Sequence, residues 1–247
     1  MNQDRLALAA GQFAADLTET VRAVVGQDLA EFRATAAPPD LIAVHQQPDT
    51  GIPLLAGGKP LIVLKARFWC HLGRVDGHLK VEHSDFKVFP VGQDRPLPLV
   101  RYEFLEAPSG TQPAAHVQFH ATHDQLQRAM AGAGSATRRG RRVAAATAQG
   151  ARPDTANLHF PVGGRRFRPC LEDVLEMLID EFGIDHLAGA KDALRDGREA
   201  WRRIQVAAAV NDCPESAISE LERLGYSVIP PGTPIGRPKR PSRMREI

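Results

Sequence analysis

His116 and His120 stand four residues apart in AHVQFH, with Gln118 between them, and a strand over this stretch would place all three on one face. At about 3.3 Å per residue the two imidazoles sit about 13 Å apart, too far to share a metal ion. Any site must therefore draw its other members from neighbouring strands. The preceding strand offers Arg101 and Glu103, and a later one offers His159. Histidine beside glutamate and arginine is the set that metal-independent phosphodiester cleavage uses: a base, an acid, and a cation for the charge of the transition state. The candidate catalytic residues are thus His120, His116, Arg101, Glu103 and His159, acting with no metal and no cofactor. The ordinary alternative is that these groups pair with one another or face water.

A second chemistry is suggested by arginine. Eight arginines fall between 138 and 168 against Asp154, and five basic residues lie between 236 and 247 against Glu246, although the whole chain carries a net charge of only +2. A surface so polarised attracts polyanions. The candidate nucleic-acid contacts are Arg138, Arg139, Arg141, Arg142, Arg165, Arg166 and Arg168. The last three follow Gly163-Gly164 and lead into a helix whose N-terminal N–H groups favour anions. No P-loop or dinucleotide fingerprint occurs, and the zinc-protease and nucleophile-elbow motifs are absent. Abundant Ala, Arg, Gly and Pro also fit a high-GC genome, in which arginine is a common default. Glu172, Glu176 and Asp180, with no histidine at metal spacing, read as the solvated face of a helix.

The elements that must position these groups follow from periodicity. Leu6, Ala10, Phe13, Leu17, Val21 and Val24 predict a helix from about residue 3 to 25, and a short helix is expected near Asp28 to Ala34. Five prolines between 36 and 60 predict a connection with one strand at Leu41 to His45. From Leu61 to His71 the period changes to two. Further strands are expected at Leu79 to Val91, at Leu97 to Leu105, at Ala115 to Phe119 and at Asn157 to Val162. Thr122-His123-Asp124-Gln125 has capping-box spacing for another helix. Leu171, Val174, Leu175, Leu178, Ile179 and Phe182 predict a helix stopped by Gly183, followed by helices over about 190–210 and from Asp212 to Gly225. Tyr226 to Ile229 is expected as an edge strand.

The expected class is α+β: an antiparallel sheet of about four to five strands packed with N-terminal and C-terminal helices. It forms a single domain over 1–229, with a flexible basic loop at 131–154 and a disordered basic tail at 230–247. Three scattered cysteines suit neither a disulfide framework nor a zinc site. With no secretory pattern near Asp4 and Asp16 and no long apolar run, the expectation is a cytoplasmic protein with no membrane association.

The block LHFPVGGRRFRPCLEDVLEMLIDEFG, with WRRIQVAAAVNDCPESAISELERLGYSV, resembles a family of uncharacterised proteins of high-GC bacteria. Arg101-Tyr102, His116 and His120 are similar to the arginine–tyrosine and histidine strands of small toxins from bacterial toxin–antitoxin modules. That resemblance implies an RNase-like component of a toxin–antitoxin or defence system, associated with RNA or DNA. The alternative expectation is a non-enzymatic module that binds a protein partner through its C-terminal helices.

Overall fold

The computed structural model describes residues 2–26, 31–38, 40–73, 77–91, 97–108, 112–120, 145, 148–150, 160–162, 166–229 and 232. Their elements run α1 (Asn2–Val25), β1 (Glu31–Ala37), β2 (Leu41–Gln47), β3 (Ile52–Ala56), β4 (Lys59–Leu72), β5 (Leu79–Pro90), β6 (Val100–Leu105), β7 (Ala115–Phe119), β8 (Phe160–Pro161), α2 (Leu171–Phe182), α3 (Ala190–Asp212) and α4 (Pro214–Arg223). The class is α+β. The sheet is antiparallel throughout, in the order β1-β2-β4-β5-β6-β7-β8, with β3 paired to β4.

Alternation builds the two faces of this sheet. Val44, Leu64, Ala66, Phe68, Phe86, Val88, Val100 and Val117 point to one face, which α1 covers with Ala10, Ala14, Leu17, Val21 and Val24. Phe13 meets Phe68 edge-on at 5.0 Å, and Phe68 meets Phe86 at 5.6 Å. Leu171, Val174, Leu175, Leu178 and Ile179 of α2 and Leu194 of α3 join the same core. Thr18 ties α1 to the sheet, because its hydroxyl accepts the Phe32 N–H at 2.8 Å while donating to the Ala14 carbonyl. Gly183, in the left-handed region at φ 64°, ends α2 and returns its N–H to the Ile179 carbonyl.

The structure has more strands than expected, and the differences have identifiable causes. In place of a short helix at Asp28 to Ala34, Glu31–Ala37 forms β1, with Phe32 buried between exposed Glu31 and Arg33. Pairing along all of β2 outweighs the weak local helical preference. The proline-rich stretch is not a connection but holds β2, β3 and the start of β4. Pro53 fits because β3 pairs on one side only, where a missing N–H costs nothing. The β3–β4 turn is Gly57-Gly58, whose two N–H groups donate to the Asp185 carboxylate at 2.9 and 2.7 Å. Tyr226 to Ile229 form no strand. Glu172 is buried rather than solvated, since α3 passes close enough at Gly197 that a Cβ there would lie 2.8 Å from its Oε1. The helix expected at Thr122, the basic loop and the basic tail lie outside the described residues. Among the described residues no helix is long and apolar enough to cross a membrane.

Candidate functional site

The second face of the sheet is polar, and register aligns its ionisable groups. Arg33 on β1 is paired with His45 on β2, His45 with Arg67 on β4, Arg67 with Asp85 on β5, Asp85 with Glu103 on β6, and Glu103 with His116 on β7. One rung therefore crosses six strands with an ionisable side chain at every step. At about 4.8 Å between strands it spans about 24 Å. A one-residue slip in any strand would exchange these groups for core residues, so the apolar face enforces the rung.

The rung is most closely knit at Glu103. One carboxylate oxygen, Oε1, accepts from His83 Nε2 at 3.1 Å and from the Arg101 guanidinium. The other, Oε2, lies 3.2 Å from His116 Nε2 and 3.4 Å from the Gln112 amide nitrogen. Burial alone would raise the Glu103 pKa. Hydrogen bonds from His116 and His83 and the charge of Arg101 outweigh it and hold the carboxyl well below the usual carboxylate range. Glu103 is thus a permanent anion that orients its three neighbours.

Those neighbours differ in access. His116 is fully buried, with Nδ1 donating to the Pro113 carbonyl at 3.1 Å. His83 keeps a quarter of its side chain exposed, at 27%. With Nε2–H donated to the carboxylate, its Nδ1 carries the lone pair, and among the described residues that nitrogen has no hydrogen-bond partner. The ring lies flat on Trp69, with centroids 4.3 Å apart and planes inclined by 9°. Arg67 sits over the same indole at 5.6 Å, and Lys65 over Phe89 at 5.5 Å. Lys87 bonds Asp85 at 3.1 Å. Arg101 Nε is buried with no hydrogen-bond partner among the described residues. Cationic and aromatic side chains thus alternate beside a carboxylate-held imidazole, an arrangement that can take a phosphate chain, stack a base and accept a proton.

The expected residues fall into three groups. Arg101, Glu103 and His116 come together, because register places Glu103 opposite His116 and Arg101 opposite Gln118. His120 follows the end of β7, its N–H donating to the Leu99 carbonyl at 3.1 Å. His159 lies outside the described residues, as do Arg138, Arg139, Arg141, Arg142 and Arg165. Arg166 and Arg168 are engaged inside the fold: Arg166 forms a forked ion pair with Asp212 at 2.6 and 2.7 Å, and the Arg168 guanidinium is sandwiched between Phe104 and Trp201 at 3.7 and 4.9 Å.

His83 was not among the residues expected from sequence. A bulge between Trp69 and Cys70 explains why: Cys70 faces Val81 while Trp69 faces His83, so Glu82 is the extra residue. Counting by twos from Leu79 and Val81 puts His83 in the core. Counting back from Phe86 and Val88 puts it on the polar face, and that was the signal available. Among the described residues no group of histidine, cysteine and acidic side chains is arranged to hold a metal ion. No protein-family model, curated protein or solved structure matches the chain.

Proposed function

We propose that this is a nucleic-acid-associated protein that binds single-stranded RNA on the outer face of its sheet and cleaves it by an RNase-like reaction without a cofactor. The observation that carries the reading is the Glu103 cluster, in which a partly exposed imidazole with an available Nδ1 stands beside a guanidinium on one carboxylate. In the proposed step, His83 Nδ1 takes the proton of a ribose 2′-hydroxyl as its oxygen attacks phosphorus. The P–O5′ bond breaks, and the departing oxygen takes a proton from water. Arg101 stabilises the charge that builds on the phosphoryl oxygens, and Glu103 supports the imidazolium that forms. His116, being fully buried, acts on Glu103 rather than on the substrate. Trp69 offers a stacking surface, and Arg67, Lys65 and the arginines at 138–142 offer phosphate contacts.

The experiment compares matched RNA and DNA strands incubated with the full chain. RNA should shorten with 2′,3′-cyclic ends while DNA stays intact, and His83→Ala should slow cleavage by about 10²–10⁴-fold, the usual contribution of a positioned base. Intact RNA, or a His83→Ala variant as fast as the wild type, refutes the reading.

A second reading, a non-enzymatic protein-interaction module, is favoured by a separate observation: large apolar side chains stand exposed on α3 and α4, including Ile204 at 61% and Leu224 at 57%. Retention of a defined protein partner by an RNA-inactive chain would place this reading ahead.

A further inference from the structure

The helical pair α3–α4 is built to meet something, and the structure argues what. No residue of α4 is buried, although Ile218, Leu221 and Leu224 recur at threes along one side of it. The outer half of α3 exposes Ile204, Val206 and Val210. Soluble chains seldom leave apolar side chains gathered in this way unless another surface covers them.

Charge complements shape. Beside Val206, an open groove of about 700 Å³ runs along α3 and is lined by Arg195, Arg198, Arg202 and Arg203 with a single acid, Glu199. On α4, Glu215, Glu220 and Glu222 stand against Arg223 alone. An acidic helix with an apolar stripe thus adjoins a basic groove with an apolar end. Within one chain the two cannot meet. Cys213 both ends α3 and begins α4, and Arg202 and Arg203 lie two to three turns, roughly 15 Å, before that joint. Two copies related by a two-fold axis can satisfy both surfaces at once, because each supplies the helix that the other's groove lacks. The exposed pairs Arg203–Glu199 and Arg223–Glu220 cost little to exchange for contacts across such an interface.

Resting on the reading of this pair as a docking surface, and not on RNA cleavage, we propose that α4 of one copy docks in the arginine-lined α3 groove of a second copy and makes the protein a homodimer. Acidic α4 repels a phosphate backbone, so nucleic acid is a poor occupant of the same surface.

The test is sedimentation or light scattering of the full chain over a roughly hundredfold concentration range, since mass action governs a reversible dimer. Twice the chain mass of 26.9 kDa is expected at the upper end. The pair Ile218→Ser and Leu221→Glu should give a monomer with unchanged helicity and melting temperature, both sites being exposed. Arg202→Glu with Arg203→Glu should weaken the dimer, and adding Glu220→Arg with Glu222→Arg should restore it. A monomer at every concentration, or a dimer indifferent to all these substitutions, overturns the proposal. A monomer that holds a different protein through α4 also overturns it, while leaving the docking reading standing.

Discussion

Helices α2 and α4 carry the same kind of sequence and meet opposite fates. Both place leucine and isoleucine at helical spacing opposite charged residues. In α2 that stripe is buried to the last side chain, with Leu178 at 0% exposure, whereas Leu221 in α4 stands at 41%. An amphipathic pattern states that a helix needs cover without stating which surface provides it. For α2 the cover is the chain's own core; for α4 the chain supplies only the end of α3. The two faces of the sheet repeat the contrast, since one face is closed by α1 and the other holds ionisable groups that must satisfy one another.

The largest expected effect on stability tests the α2 side. Leu178→Ala should cost about 2–5 kcal/mol, the range for a large buried side chain whose site cannot collapse, and Leu175→Ala should behave alike. Denaturant titration measures both, and a wild-type midpoint would show α2 to be as peripheral as α4. Next comes the polar face. Glu103→Gln removes the anion shared by His83, His116 and Arg101 and should cost about 1–3 kcal/mol at neutral pH, as polar groups are left without their partner. Because the folded protein depresses this pKa, the Glu103 contribution is fully present above the ordinary value of 4.5 and is lost as pH falls through the lower folded value. The wild type should therefore lose stability on acidification below that point, and Glu103→Gln should lose less. Parallel acid profiles for the two would show that the carboxylate is not held as described. The smallest effect belongs to α4: Leu221→Ser should change stability by no more than about 0.5 kcal/mol in the monomer, as an exposed site does. A change comparable to that of Leu178→Ala would erase the contrast between the helices.

Sequence periodicity made much of this arrangement legible where it ran long. Six apolar positions in α2 and the alternation from Ile62 to Cys70 match the structure residue by residue. The pairing of Arg101 and Glu103 with His116 followed from alternation on two neighbouring strands. What escaped depended on partners distant in sequence. β1 and β3 are strands because β2 and β4 lie beside them, and their short runs with Pro53 or the Ala-rich ATAA carry little signal of their own. Gly57-Gly58 was a hairpin signal hidden among prolines. His83 was displaced by a bulge that only the β4 register reveals. Arg166 and Arg168 were grouped with the basic run by composition, yet their partners Asp212, Phe104 and Trp201 come from elements that no local count brings near.

The Thr18 hydroxyl that takes the Phe32 N–H does more than fasten a helix. Phe32 lies on β1, which pairs only with β2, so this N–H belongs to an open border where another chain's strand could add. Thr18 occupies one of the places such a strand would need, and exposed Glu31 and Arg33 put charge along the same border. At the opposite end of the described sheet, β8 is two residues long and Pro161 has no N–H to offer. A sheet of eight strands is thereby guarded against growing by strand addition, and contact with other molecules is left to its polar face and its C-terminal helices.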